Sequence, residues 1–364
     1  MSNPKKILFI LHFPPPMHGA AKVGLLLKES KTVNNFFNTK YINLGLSRSV
    51  NEIGKNPFVK ISRYLLILYK CLINLFFFKP ELCYFTLTSK GLGFYKDIPI
   101  IFLIKLFNVK IVYHLHNKGV NEKSNKFLDD FLYSYVFKNS FLILLSNKLY
   151  SDIKKYVDIS QVYYCPNGIP KSNIKADKHS NKSAIFNILF LSNLIESKGA
   201  YILLEACRIL KTKQLNFYCT YVGGIGDISE IDFNNKIKEF GLISHVQYLG
   251  KRYGIEKDII LNNSDILVLP SLNDCFPLVL LEAMQFYLPV ISTIEGGIPD
   301  IIQDKKTGYL VSKNDIITLT EKIEFLINNP ELKNDMGIAA NKRYKENYTL
   351  EIFEKKIKDI LNNI

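Results

Sequence analysis

The sequence predicts an α/β protein with two domains, each built around a parallel, doubly wound sheet. Short apolar runs alternate with helical segments along most of the chain, which is the order expected of such sheets. A polar, lysine-rich segment at 171–184 interrupts this order, and the alternation restarts after it. The chain has 364 residues, which is too long for one ordinary core and suits two.

The first domain is predicted over residues 1–170. A loop that contains Gly19 follows the first strand, and a helix begins near Ala20. An apolar run at the start of the chain, Ile7 to Leu11, resembles a signal peptide, but it is short and a triple proline follows it. We interpret it as a buried strand. The predicted strands are KILFILHF, LCYFTLT, KIVYHLH, FLILLS and QVYYC.

The linker is predicted over 171–184 and the second domain over 185–345. Residues 346–364 are predicted as a terminal helix, and packing back on the first domain is one arrangement open to it. Ligands of open α/β sheets bind beyond the carboxyl ends of the strands. We therefore expect the active site in a central cleft that the two domains face. The predicted strands of the second domain are FNILFLS, NFYCTYVG, HVQYLG, ILVLP and PVIST.

The chain is strongly basic, with a formal net charge of +14. This charge indicates an anionic partner, and nucleic acid, acidic lipid and a phosphorylated substrate all fit it. A compositional bias toward lysine and asparagine is the alternative explanation. No aromatic and basic motif of a known RNA reader is present, which weighs against nucleic acid.

Cysteine and histidine usage excludes several classes of site. The six cysteines are scattered without a CxxC pair, so neither a disulfide framework nor a zinc site is indicated. Their number and spacing fit a reducing cytosol. The six histidines show no HExxH spacing, and we expect no metal.

Two long apolar stretches, Tyr64–Phe78 and Leu92–Val109, are interrupted by charged or polar residues, so no transmembrane helix is predicted. The first stretch is apolar nearly all round. Either it forms a helix buried under a sheet, or one of its faces rests on a membrane. We favour the buried helix.

The most informative segment runs from Leu269 to Asp300. Within it, Asp274 lies eight positions before Glu282, at a junction between a polar loop and a helix. Pro277 suits the first turn of that helix, because proline lacks the N–H that would be unpaired there. Two carboxylates at the carboxyl edge of a sheet, beside unpaired helix N–H groups, are typical of a site that holds a sugar nucleotide. An exposed loop aspartate and a solvated helix glutamate are the alternative that the spacing alone leaves open.

Several motifs now occur in a definite order: PPPMHGAAKVG, HLHNKG, YYCPNGI, FLSNLIESKGAYILLEA and SLNDCFPLVLLEAMQFYLPVISTIEGGIPDII. This set resembles the family 4 retaining glycosyltransferases. Their architecture, called GT-B, consists of two Rossmann-like domains that face a central cleft. The resemblance covers nearly the whole chain and is strongest over residues 186–311.

The resemblance implies roles for the residues around the two carboxylates. Glu282 is expected to bind the ribose hydroxyls of the donor, and Asp274 to contact its sugar. The family usually has Glu where Asp274 stands, so the reach of the carboxylate is shorter by about 1.5 Å. The residues after Asp274 are expected to bind the donor through their backbone: Cys275, Phe276, Pro277 and Leu278.

The resemblance also assigns cationic and glycine positions. Lys198 is expected to neutralise the donor diphosphate, while Asn193 replaces the arginine that usually assists it. Gly296 and Gly297 are expected to form a turn beside the donor. In the first domain, the implied site residues are His18, Gly19 and His116, with His114 on the same side of its strand; Asn167 and Gly168 are interpreted as turn residues.

The resemblance implies a retaining, front-face transfer of a hexose or N-acetylhexosamine from a nucleotide-diphosphate sugar, without a metal or other cofactor. The acceptor is expected to be a saccharide or a polyprenyl-linked saccharide of a surface polysaccharide such as capsule, O-antigen or exopolysaccharide. The expected location is cytoplasmic, and peripheral contact with the anionic inner face of the membrane is one arrangement open to the first domain. A GT-B sugar-nucleotide epimerase and a basic nucleic-acid-binding protein stay as alternatives. A dinucleotide oxidoreductase is disfavoured, because no GxGxxG follows the first strand.

Overall fold

The computed structural model describes residues 3–15, 18–46, 57–174 and 185–364. The chain folds into two compact units, Met1–Asn167 with Glu351–Ile364, and Gly168–Leu350. Of the predicted linker, residues 175–184 lie outside the described residues, and residues 171–174 belong to the second unit.

In the first unit, the described strands form one six-stranded parallel sheet in the order β2-β1-β3-β4-β5-β6. Its central strands are buried almost throughout, as expected of a parallel sheet covered on both faces. The strands are β1 (Lys6–Leu11), β2 (Asn38–Asn43), β3 (Leu82–Phe85), β4 (Lys110–Leu115), β5 (Phe141–Leu144) and β6 (Val162–Tyr164).

The helices of the first unit include the last helix of the chain. Lys5 Nζ donates to the carbonyl of Leu361 at 2.9 Å, and Lys110 Nζ to the carbonyl of Ile364 at 2.7 Å, so the sheet holds the C-terminus. The helices are α1 (Gly19–Glu29), α2 (Lys31–Asn34), α3 (Pro57–Ile73), α4 (Leu92–Leu106), α5 (Val120–Lys123), α6 (Phe127–Phe137) and α14 (Leu350–Asn363). A π-helical segment, Asn74–Phe78, continues α3.

The described strands of the second unit form another six-stranded parallel sheet, in the order β12-β11-β10-β7-β8-β9. Strand order reverses between β7 and β10, which pair with Ile188 opposite Ile266. This reversal is a topological switch point, where open sheets bind ligands. The strands are β7 (Phe186–Leu191), β8 (Phe217–Val222), β9 (Val246–Tyr248), β10 (Ile266–Leu269), β11 (Val290–Thr293) and β12 (Gly308–Val311).

The helices of the second unit follow its strands. Pro277 precedes the first turn of α10 as its N-cap, with φ −69° and ψ 116°, so its prediction inside the first turn is wrong by one position. The helices are α7 (Ala200–Thr212), α8 (Glu230–Glu239), α9 (Gly254–Asn262), α10 (Leu278–Gln285), α11 (Ile298–Ile301), α12 (Ile316–Asn328) and α13 (Pro330–Asn347).

The predicted α/β class with two doubly wound sheets is confirmed, but the expectation for the apolar stretch Tyr64–Phe78 is wrong. It belongs to the helix Phe58–Phe78. Only 22% of the most apolar part of this helix is buried. By length and composition alone, this helix of 21 residues is apolar enough to cross a membrane, although its interrupted sequence predicted no transmembrane helix. Its outer face is exposed, because only one side packs on the unit.

Candidate functional site

Two loops meet at the switch point of the second sheet. The loop after β7 and the loop after β10 are joined by hydrogen bonds to the carbonyl of Ser197, from Leu272 N at 2.8 Å and Ser271 Oγ at 3.3 Å. Gly199 ends the first loop with φ +80°, and a Cβ there would lie 2.2 Å from the carbonyl oxygen of Pro270. Glycine is therefore required for this close approach.

The joined loops place Lys198 against Asp274. Their side chains form an ion pair, and both are partly buried. Lys198 Nζ also lies 3.4 Å from the carbonyl oxygen of Asn273. A cation held by neighbouring oxygens in a partly dry loop is positioned to receive a more highly charged anion, such as a diphosphate.

Glu282 lies on α10 and is 8% exposed. Lys257 Nζ of α9 lies 2.7 Å from its carboxylate. Sequence reasoning missed Lys257, because no periodicity or short motif connects two residues on different helices. The ion pair gives this buried carboxylate a cationic partner, and carboxylates accept strong hydrogen bonds from hydroxyls.

The turn at Gly296 and Gly297 closes over the residues after β10. Gly296 has φ +51°, and a Cβ there would lie 2.1 Å from the carbonyl oxygen of Asp274. Gly297 N donates to the carbonyl of Cys275 at 2.7 Å. The structure therefore places this turn against Asp274 of the Lys198–Asp274 pair. The turn can approach so closely because Gly296 has no side chain.

The start of α10 faces the same loop. No side chain caps this helix, and its first turn carries no acidic residue, so its early N–H groups are suited to an anion. Cys275, Phe276 and Pro277 are buried, while Leu278 is partly exposed. The ring of Phe276 packs 6.0 Å from that of Tyr348, so only its backbone is directed to the loop.

Asn193 has a different task from the arginine it replaces. Its side-chain oxygen accepts from Gly224 N at 2.8 Å and fixes the glycine loop after β8. A Cβ on Gly224 would lie 2.4 Å from Lys251 Cε, so the Lys251 side chain passes beside this loop. Lys251 was not predicted, but it places a second cation near Asn193.

The predicted site residues of the first unit lie at the carboxyl edge of its own sheet. His12 follows β1, and His116 follows β4. The ring centroids of His114 and His116 are 4.2 Å apart, and those of His12 and His18 are 5.7 Å apart. His114 is fully buried and hydrogen-bonded to the Tyr84 hydroxyl, which is how a core histidine is usually held.

These histidines are held uncharged. Burial lowers the pKa of His116 to about 3, and nearby His18 adds to the shift. Burial, and then the charge of Lys96, lowers the pKa of His12 to about 3. A neutral imidazole presents one hydrogen-bond donor and one acceptor, which suits a neutral hydroxyl ligand.

His18 and Gly19 begin α1. His18 is the N-cap, and its Nδ1 accepts from Ala21 N at 3.3 Å. A Cβ on Gly19 would meet nothing within 4 Å. By contrast, a Cβ on Gly24 would lie 2.2 Å from the carbonyl oxygen of His12, so Gly24 is the glycine that lets α1 pack on β1.

Asp97 is a buried carboxylate that sequence reasoning did not single out. Its Oδ2 accepts from Thr88 N at 3.0 Å, and Lys96 Nζ lies 3.8 Å from its Oδ1. Burial raises the pKa of Asp97 to about 6. Among the described residues, no group of three or more His, Cys, Asp or Glu is arranged to hold a metal ion.

The chain is similar to known proteins in sequence and in fold. Residues 171–343 match the family model described as Glycosyl transferases group 1, which covers most of the second unit. The amylovoran biosynthesis glycosyltransferase AmsK of Erwinia amylovora is 30% identical over 183 residues, 49% of this chain and 44% of AmsK. The capsular polysaccharide biosynthesis glycosyltransferase CapM of Staphylococcus aureus is 27% identical over 182 residues, 49% of this chain and 46% of CapM.

The similarity in fold extends over the whole chain. HepE of Anabaena, solved in complex with UDP and glucose, superposes with a TM-score of 0.75 at 16% identity, over 99% of this chain and 100% of HepE. The likeness confirms the GT-B class for the whole chain. The aligned regions span 34% to 53% of the length of the curated relatives compared.

Proposed function

We propose that the protein is a retaining glycosyltransferase of surface polysaccharide biosynthesis. It moves a hexose or N-acetylhexosamine from a nucleotide-diphosphate sugar to a saccharide or polyprenyl-linked acceptor. The observation that carries the proposal is the Lys198–Asp274 pair at the switch point, enclosed by the Gly296 turn.

Each charged residue of this edge has a task in donor binding. Lys198 exchanges its bond to Asp274 for the donor diphosphate, and the start of α10 adds unpaired N–H groups. Lys251 supplies the charge that Asn193 lacks. Glu282 accepts bonds from the ribose hydroxyls, while Asp274, once released, contacts the sugar.

Negative charge develops on the diphosphate as the bond to the sugar breaks, and fixed cations stabilise it. The departing diphosphate takes the proton of the acceptor hydroxyl, so the sugar is transferred on the same face. No metal or other cofactor takes part in the proposed reaction. The proposed location is the cytoplasm.

Two kinds of comparison support the donor and product classes. CapM and AmsK are named for capsular polysaccharide and amylovoran biosynthesis. HepE was solved with UDP and glucose. A second enzyme, a sugar-nucleotide epimerase, would also use the charged edge, and products formed without acceptor distinguish the two.

The test is donor hydrolysis by the purified chain against UDP- and GDP-sugars, with product analysis. We expect Lys198→Ala to lower turnover of the accepted donor by roughly hundredfold. The matched control is Lys333→Ala, which breaks another partly buried lysine–aspartate pair, at 2.6 Å to Asp265, before β10 at the opposite edge of the same sheet. Equal turnover in Lys198→Ala and wild type, or epimerised donor as the product, would refute the proposal.

A further inference from the structure

Three neighbouring helices of the first unit carry apolar side chains on their outer sides. On α3 and its π-helical end, the exposed positions recur at helical spacing and are almost all apolar. They include Phe58, Leu65, Tyr69, Leu72, Phe76 and Phe77. The opposite side of the same helix is packed, with Ile67, Cys71 and Leu75 buried.

The next two helices extend this surface. α4 packs beside α3, and α6 packs beside α4. α4 exposes Leu92, Tyr95, Phe102 and Leu106, which lie on one side of the helix. α6 exposes Phe127, Leu128 and Phe131 near its start. Together these side chains form what we call the outer helical surface, about 30 Å long along the 21 residues Phe58–Phe78.

The charged residues of α3 and its π-helical end are all basic. Residues 57–79 contain three lysines and one arginine and no acidic residue. On the two neighbouring helices, Asp97 and Asp129 are buried, and Asp130 pairs with Lys155 at 2.6 Å. An apolar surface edged by lysines fits the boundary of an anionic lipid membrane.

We infer that the outer helical surface binds peripherally to a membrane that contains anionic lipid. Burial of one side of α3 against the unit is incompatible with lipid all round the helix, so the helix lies in the membrane surface and does not span it. A second copy fits less well. Two-fold pairing through this surface would set its lysines against themselves.

The test is flotation of the full chain with vesicles of phosphatidylcholine, with and without phosphatidylglycerol. We expect binding that is stronger with phosphatidylglycerol and weaker at high salt. The double variant Leu65→Glu/Phe77→Glu is expected to reduce vesicle binding by roughly tenfold or more, since it places charge where lipid contact is proposed.

A matched control keeps this result interpretable. Ile231→Glu/Ile317→Glu adds the same charge at side chains of similar exposure in the second unit, 73% and 62% against 70% for Phe77 and 58% for Leu65. The control variant is expected to bind vesicles like wild type. A third variant, Lys70→Glu/Lys79→Glu, keeps the apolar side chains and is expected to lose only the phosphatidylglycerol dependence.

The inference does not rest on the proposed function, because hydrolysis of a soluble donor is expected to be the same in all these folded variants. Three outcomes would overturn it. They are no vesicle binding by wild type, equal binding by wild type and Leu65→Glu/Phe77→Glu, and light scattering that shows a wild-type dimer which that variant converts to a monomer without vesicle binding.

Discussion

The carboxyl edges of the two sheets differ in the side chains that line their candidate site residues. The edge of the second sheet carries three lysine–carboxylate ion pairs: Lys198–Asp274, Lys257–Glu282 and Lys313–Glu295. The edge of the first sheet carries histidines whose pKa values are lowered, so they are neutral at pH 7. In the proposed reaction, the second edge exchanges its ionic partners for the charged donor, whereas the first edge serves the uncharged acceptor hydroxyl.

The glycines at the two edges differ in how closely other atoms surround them. Gly199 and Gly296 are required by protein contacts, since a Cβ on either would overlap a neighbouring carbonyl. Gly19 has open space around it. The loops of the second edge are thus fixed by the fold, and the free space at Gly19 is available to a ligand.

The largest effect is expected for Glu282→Gln. Loss of the charge weakens bonds to two ribose hydroxyls, and at about 1.5 kcal/mol for each charged bond kcat/KM should fall by roughly hundredfold. His114→Gln, in the core of the first unit, serves as the comparison and should change kcat/KM less. Steady-state donor hydrolysis measures both, and a wild-type kcat/KM for Glu282→Gln would contradict the ribose role.

Gly296→Ala should destabilise the second unit by about 3 kcal/mol, because it combines a left-handed backbone with overlap on Asp274. Gly19→Ala should change the free energy of unfolding by about 1 kcal/mol or less. Urea unfolding followed by fluorescence checks both. Equal stabilities of the two variants would show that the turn is not sterically fixed.

Lys251→Ala should lower kcat/KM by roughly tenfold, which corresponds to loss of one cation near the diphosphate. Arg252→Ala removes the adjacent positive charge and should have a smaller effect. The Arg252 guanidinium lies on the surface, 3.7 Å from the carboxylate of Glu256. The ranking of the two variants in donor hydrolysis is the measurement. The reverse ranking would remove Lys251 from the site.

The neutral histidines predict a pH dependence of stability. The unfolded chain takes up a proton at each of His12 and His116 near pH 6.5, but the folded chain does so only near pH 3. Stability from these groups is therefore complete above pH 6.5 and is lost as the pH falls toward 3. Asp97, with its pKa raised to about 6, acts in the opposite sense, since its contribution is lost as the pH rises through that value.

His116→Gln should reduce the loss of stability between pH 6.5 and about pH 5 by about 1 kcal/mol. Thermal unfolding at several pH values measures it, with His245→Gln in the second unit as the control. The same pH dependence in His116→Gln and wild type would mean that folding does not lower the pKa of His116.

The fold was largely predictable, because buried parallel strands are continuous apolar runs. The two strands that were not predicted, β2 and β12, lie at sheet edges. β2 is not a continuous apolar run, because it alternates between exposed and partly buried residues. The error at Tyr64–Phe78 has another cause. Apolar composition does not specify whether protein or another phase covers a helix face, and only packing against α4 and β2 decides it.

The contacts among the predicted site residues could not be read from the sequence. Lys198 and Asp274 are 76 positions apart, and no sequence pattern indicates that they form a pair. Lys257 and Lys251 belong to no motif, so only the three-dimensional arrangement identifies them. The effect of having aspartate at position 274 is also visible only in the three-dimensional structure. There its carboxylate bonds to the lysine that is expected at the diphosphate.

We propose that the edge of the second sheet with the Lys198–Asp274 pair, and not the histidine-lined edge of the first, binds the nucleoside diphosphate. Calorimetric titration of UDP, GDP and ADP into wild type, Lys198→Ala and His116→Ala tests it directly. We predict that one of these nucleotides binds wild type and His116→Ala alike, and binds Lys198→Ala roughly tenfold or more weakly. Equal binding by wild type and Lys198→Ala, with loss in His116→Ala, would contradict it.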